Sequence, residues 1–218
     1  MKYLKTTMAS VAFALAATGM AQATIVSAVG ATITSGGVGF GSITDTHNQA
    51  GLSAGYTNGD DFAAVVAGIS HTNTFASFEW FSDSGTTSAS VTYDLGSVLS
   101  IDAMALWNEE SSGIGLLDLL WSIDGTTFSS LLTGLTPTDN TVGPNYFADV
   151  FGFATTSLQY VRMDMSRCPQ PLPGSFSACA IGEVAFNQVA AVPVPAAGLM
   201  LMGALGGLGL MRRRRHAA

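Results

Sequence analysis

An all-β sandwich is the fold this sequence predicts, and three observations carry it. Short runs of alternating apolar and polar residues recur between Ala89 and Asn187, the period-2 signature of half-buried strands. Turns bearing Gly, Ser and Asp separate these runs, and no convincing helix lies between them. No self-similarity with a period of about 20–50 residues is visible, which removes solenoids and propellers.

In chain order, Thr24 to Gly41 is apolar and glycine-rich, with a first strand expected around Ile25 to Val29. Ser42 to Phe62 is polar and turn-rich. Phe62 to Val66 fits either a strand or a short helix. Phe75 to Phe81 reads as an aromatic strand, and Ser82 to Ser88 as a turn. Ala89 to Leu95 places Val91, Tyr93 and Leu95 on one face, and Gly96-Ser97 is expected to turn the chain. Ile101 to Trp107 follows, with Ile101, Ala103, Ala105 and Trp107 sharing a face. Asn108 to Gly115 is an acidic loop. Leu116 to Ile123 aligns Leu117, Leu119, Trp121 and Ile123, and Asp124-Gly125 is a strong turn signal. Phe128 to Leu132 is a short strand, and Gly134 to Pro144 a long loop. Tyr146 to Phe153, Tyr160 to Met165 (Val161, Met163 and Met165 on one face) and Ala180 to Asn187 complete the set.

Charge narrows the function. All fifteen Asp and Glu residues lie between residues 24 and 191, with only Arg162 and Arg167 against them, so this segment carries −13. This argues strongly against nucleic-acid binding, which needs basic patches. A soluble secreted domain is favoured, and one able to attract cations. Its size is that of one domain with a core of its own.

The two cysteines, Cys168 and Cys179, flank a loop holding Pro169, Pro171 and Pro173. In an exported protein they are expected to pair and to stabilise by about 2–3 kcal/mol on the loop-entropy model. Free thiols are the alternative, and a metal site is disfavoured because no histidine is near in sequence.

No catalytic residue is assigned. His47 and His71 are the histidines of this segment, and G-x-S-x-G, H-E-x-x-H and reactive-cysteine patterns are missing. His71 reads as a surface or half-buried polar residue. Asn58, Asp60 and Asp61 form an oxygen-rich cluster beside Gly59. Such a cluster suits Ca2+, which takes six to eight oxygen ligands; a solvated acidic turn is the other reading.

Several motifs occur in a fixed order: YDLG at Tyr93 to Gly96, a strand ending in Trp107-Asn108, WSIDGTTF at Trp121 to Phe128, LQYVRMDM at Leu158 to Met165 and IGEVAF at Ile181 to Phe186. This order resembles the discoidin-type, galactose-binding-like jelly rolls. Members commonly carry a serine–x–aspartate–glycine turn, an arginine–tyrosine–valine–arginine strand and a closing glutamate strand. The likeness covers about Ser88 to Asn187, and Gln159 departs from it where arginine is frequent. It implies a jelly-roll sandwich binding carbohydrate through loops at one end. Trp107 with Asn108, Glu109 and Glu110 would form the ligand surface, with Tyr56 and Trp80 as further aromatics. A core role is the stronger reading for these tryptophans, favoured for Trp121 and less firmly for Trp107. The likeness also implies a structural Ca2+ between the early acidic loop and the closing glutamate, here Asn58, Asp60, Asp61 and Glu183.

The chain ends speak of destination. Met1 to Ala23 reads as a secretory signal peptide: Lys2 and Lys5, an apolar Val11 to Ala17, and the small-x-small site Ala21-Gln22-Ala23 for signal peptidase. At the other end, Val192, Pro193, Val194 and Pro195 precede sixteen uncharged residues, Ala196 to Met211, and then Arg212, Arg213, Arg214 and Arg215. As a helix the uncharged run would span roughly 24 Å, a marginal transmembrane segment, with the arginines cytoplasmic. This tail resembles the PEP-CTERM sorting signals in their VPLPA variant; Val194 stands where the main type has glutamate. The resemblance implies cleavage by an exosortase and transfer outward. The organisation expected is therefore a leader over 1–23, a β-sandwich over 24–191 and a sorting tail over 192–218. The function expected is an exported, non-enzymatic module that binds carbohydrate or exopolysaccharide. A structural matrix or biofilm protein without a specific ligand is the alternative, and a secreted hydrolase a more remote one.

Overall fold

In the computed structural model, residues 23–73, 78–140, 142–171, 174 and 176–189 are described. The leader and tail expectations lie outside the described residues, apart from Ala23. The elements run β1 (Ala23–Val26), β2 (Gly30–Ser35), β3 (Phe40–Gly41), a 3-10 turn (Ile43–Thr46), α1 (Phe62–Gly68), β4 (Ser70–His71), β5 (Trp80–Phe81) and β6 (Ser88–Asn108). They continue with β7 (Leu116–Ser122), β8 (Ser129–Leu135), β9 (Tyr146–Phe147), β10 (Asp149–Ser166) and β11 (Ala180–Val189).

Two long antiparallel strands, β6 and β10, pass through both layers of the sandwich. The start of β6 (Ser88 to Asp94) pairs with β2 and with the end of β10, which continues to β7 and β8. The end of β6 (Ile101 to Asn108) pairs with β11 and with the start of β10; β11 carries β1 and β5 on its other edge, and β5 carries β3. A sharp turn at Gly96-Ser97 was the sequence expectation. The chain instead bends there without leaving the sheet: Gly96 takes φ +80° and its N–H donates to Asp94 Oδ1 at 2.7 Å. Bends and bulges are how strands switch layers in a sandwich. In β10 the shifts fall between Gly152 and Thr156 and between Leu158 and Tyr160, joining two expected strands into one.

The layers meet through the residues the alternation picked out. Val91, Tyr93, Leu117, Leu119, Val161, Met163 and Met165 share one core cluster with Met104, Leu106, Val184 and Phe186. The Tyr93 and Phe186 rings meet edge-to-face at 6.2 Å. Each large side chain buried here contributes about 1.5–3 kcal/mol of transfer free energy. Two expectations fail locally. Ile101 parts from Ala103 and joins Met104 and Leu106, because Asp102 is an extra residue in the β6–β11 register, where Asn187 faces Ala103 and Gln188 faces Ile101. Ile123 is exposed, because β7 ends at Ser122, whose Oγ accepts from Asp124 N and Gly125 N and starts the turn.

The other face of β6 and β11 is buried as well. Ala103, Ala105, Trp107 and Ala185 are covered by Tyr56, Phe62, Val66, Ile69 and Tyr146. Phe62 to Gly68 is helical because Asp61 caps it, its Oδ1 accepting from Ala64 N at 2.7 Å, which also places Phe62 and Val66 one turn apart on the buried face. Of the aromatic strand expected at Phe75 to Phe81, Trp80 and Phe81 pair with Ile181 and Ala180; residues 75–77 lie outside the described residues. Cys168 and Cys179 form a disulfide between the end of β10 and the start of β11.

Leu119→Ala is expected to lower the unfolding free energy by about 2–5 kcal/mol. Gly96→Val is expected to cost at least ~1 kcal/mol, because a side chain at this φ is strained and its Cβ would meet a Val29 methyl at 3.1 Å. Urea unfolding of both variants checks this; an unchanged midpoint for Gly96→Val would show that the corner does not need glycine.

Candidate functional site

On the outward face of the first layer, the polar phase of three elements lines a groove of about 380 Å³. Thr32 and Thr34 come from β2, Thr92 and Asp94 from β6, Tyr160 and Arg162 from β10; the turn after β7 adds Asp124, Gly125 and Phe128. The same alternation that sends Tyr93 and Val161 inward sends their neighbours here.

The groove is chemically mixed. The Arg162 guanidinium lies over the Phe128 ring at 4.8 Å from its centroid, and its Nη2 donates to Asp164 Oδ2 at 3.1 Å. Asp94 Oδ1 accepts from Gln159 Nε2 at 3.1 Å as well as from Gly96 N. Asp124 Oδ1 accepts from Thr126 N, Thr127 N and Ser122 Oγ at 2.8–2.9 Å; these donors hold its carboxyl well below the usual carboxylate range. The groove therefore offers two hydrogen-bonded carboxylates, a cation resting on an aromatic ring, a phenol and three threonine hydroxyls. None of its lining was singled out as a binding residue from sequence. The available signal was the polar phase of β6 and β10 next to the Asp124-Gly125 turn.

The residues expected to bind ligand are inside the protein. Trp107 is fully buried, with Nε1 donating to the Ile69 carbonyl at 3.1 Å. Asn108 ties its own loop together: Oδ1 accepts from Ile114 N at 2.8 Å and Nδ2 donates to the Thr138 carbonyl at 2.9 Å. Glu109 is buried and accepts from Ser111 N and Ser111 Oγ at 2.9 and 2.6 Å. Tyr56 is buried, its hydroxyl 2.8 Å from Ser27 Oγ.

The expected calcium ligands are not brought together. Asn58 Oδ1 accepts from Ser27 N, Asp60 Oδ2 from Thr57 N and Asp61 Oδ1 from Ala64 N, each satisfying local backbone. Glu183 is fully buried in β11, its Oε2 accepting from Gln49 N at 3.0 Å and its Oε1 unpartnered. Among the described residues, Asp60, Asp61 and Glu183 do not converge as a metal-holding set.

His71, expected at or near the surface, is fully buried and stacks on Tyr146 at 5.0 Å. Its Nδ1 lies 2.8 Å from the Thr72 carbonyl, which requires a proton on that nitrogen, and desolvation pushes the ring below its ordinary value. Close by, Tyr146 donates to Glu79 Oε1 at 2.7 Å. Burial pushes the Glu79 carboxyl up to about 8, Glu109 up to about 7 and Glu183 well above the usual range.

No family model matches the chain, and no curated protein matches it. Among solved structures, similarity is found to chitosan-binding module 1 from a chitosanase/glucanase of Paenibacillus sp. IK-5, at 19% identity over 72% of this chain and 92% of that one, with TM-score 0.47. The CBM32 of AlyQ, in complex with 4,5-unsaturated mannuronic acid, matches at 14% identity over 74% and 96%, with TM-score 0.45. CpGH89CBM32-5 of Clostridium perfringens, in complex with GalNAc-β-1,3-galactose, matches at 18% over 74% and 94%, with TM-score 0.43. Similarity at this level assigns neither a ligand nor an activity.

Glu183 makes stability depend on pH. A carboxyl whose folded value is raised binds its proton more tightly in the native state. Its contribution is complete below the ordinary value of 4.5 and is lost as pH rises through the folded value. Melting temperature is therefore expected to fall between pH 5 and pH 8, and Glu183→Gln to make that fall shallower. A thermal scan across this range checks it; an equally steep fall in the variant would remove Glu183 as a source.

Proposed function

We propose that the domain is a non-enzymatic carbohydrate-binding module that works outside the cell. The observation that supports this reading best is the groove on the first layer. A pyranose ring presents C–H faces that suit Phe128 and Tyr160, and a rim of hydroxyls that suits Asp94, Asp124, Arg162 and the threonines. Its walls stand on paired strands, so the polar groups are positioned before a ligand arrives. The motifs shared with galactose-binding-like jelly rolls point to the same ligand class.

Export is part of the proposal. The signal-peptide features of residues 1–23, the PEP-CTERM-like tail at 192–218 and a disulfide-bonded acidic domain suit a precursor that signal peptidase and an exosortase process. It would sit in the membrane by its tail before cleavage and reach the cell surface or medium after it. Intact-mass analysis of the exported protein is expected to show a start at Thr24 and loss of the Arg212 to Arg215 end. Retention of the arginines would overturn the exosortase step.

For binding, affinity electrophoresis or calorimetry against neutral and uronate-containing polysaccharides is expected to find at least one ligand. Phe128→Ala and Arg162→Ala should each weaken it about tenfold or more, a loss of at least ~1.4 kcal/mol. Thr138→Ala, away from the groove, should leave it unchanged. Binding that survives both groove variants would move the site elsewhere. No binding to any polysaccharide would replace this reading with a structural matrix component.

A further inference from the structure

Three of the fifteen carboxylates are separated in sequence and meet in space. Glu79 precedes β5; Glu109 and Glu110 follow β6. One oxygen of each lies within 4.8 Å of the others, and the residues are only 1%, 2% and 5% exposed. Like charges packed this closely away from water repel strongly until a proton or a cation neutralises them.

The described residues supply no such counter-charge. Arg162 pairs with Asp164, and neither Arg162 nor Arg167 forms an ion pair with any of the three. His71 Nδ1 lies 3.6 Å from Glu79 Oε1, but its proton is directed to the Thr72 carbonyl. Tyr146 gives Glu79 a neutral hydrogen bond. Ser111 N and Ser112 N both donate to Glu109 Oε2 and Ser111 Oγ donates to Oε1, which fixes its orientation and leaves a free lone pair on Oε1. A separate feature points to a missing partner. Glu110, a member of this cluster, is 5% exposed, and its Oε2 is buried without a hydrogen bond. A buried carboxylate oxygen with no donor is uncommon in a native protein and calls for an ion or a water.

We propose that Glu79, Glu109 and Glu110 form a buried binding site for a hard divalent cation of the calcium type. The three carboxylates offer at least one oxygen each. Calcium accepts six to eight in flexible geometry, with water completing the shell, whereas magnesium demands a tighter octahedron. Glu110 Oε2 gains its partner, and the cation links the entrance of β5, the exit of β6 and, through Tyr146, β9. This proposal does not depend on the carbohydrate reading, since the groove lies on the outward face of the other layer.

The test uses the exported protein, stripped with EDTA and titrated calorimetrically with CaCl2, MgCl2 and MnCl2, with melting curves in parallel. One equivalent of Ca2+ is expected to bind more tightly than Mg2+ and to raise the melting temperature. Glu79→Gln and Glu110→Gln should each weaken Ca2+ at least tenfold and melt no lower than the wild type without metal, since each replaces a buried carboxyl by a neutral amide of the same shape. Glu110 is the most exposed of the three and Glu110→Gln the variant that disturbs packing least, so it decides the matter if Glu79→Gln fails to fold. Asp60→Asn should leave binding unchanged. Terbium luminescence excited through the protein's aromatic residues gives a second readout on the wild type. The proposal is overturned if no ion binds at millimolar concentration, if Glu110→Gln binds Ca2+ as the wild type does, or if Asp60→Asn abolishes binding.

Discussion

The pairing of β6 with β10 is the constraint on which the rest depends. It runs from Ser88 against Ser166 to Leu106 against Asp149, through a bend, and is antiparallel throughout. Two separate sheets would need only side-chain contacts to find their relative position. Here the backbone ladder itself carries the chain from one layer to the other. Gly96 and the Asp94 side chain set where the bend falls. The bend in turn determines which residues of β6 face the inter-layer core and which face the helix side. Tyr93 and Phe186 come from opposite layers and meet because of it.

The same constraint builds the groove. Thr92 and Asp94 on β6 stand beside Tyr160 and Arg162 on β10, and these strands are in register at Asp94 with Tyr160 and Thr92 with Arg162. Core and groove are therefore the two faces of one ladder. Moving the register by one residue would exchange them, placing Val91 and Val161 in solvent and Asp94 in the core.

Much of this was legible in the sequence. The alternation at Ala89 to Leu95, at Leu117 and Leu119, and at Val161 to Met165 gave both strand identity and the inward face. The pairing of Cys168 with Cys179 and the Asp124-Gly125 turn were legible too. What escaped were long-range consequences. Trp107, Asn108 and Glu109 sit at the end of a strand and next to a polar loop, which is how an exposed ligand edge reads. They are buried because residues 56 to 69 and 138 to 140 fold over them, and local pattern cannot show what covers a strand end. Asn58, Asp60 and Asp61 resemble a cation loop by composition, yet backbone N–H groups closer in sequence claim their oxygens. The acidic residues that do converge, Glu79 with Glu109 and Glu110, are thirty positions apart, and nothing but the tertiary fold brings them within reach.

The edge made by β1 and β11 has a mechanical meaning. Ala23 faces Val189 across the ladder, so the two ends of the described domain lie side by side. A pull entering at Val189 loads β11, which is hydrogen-bonded to β1 on one side and to β6 on the other. The load therefore passes straight into β6 and, through it, into β10. A domain held from that end bears drag on the same ladder that joins its two layers.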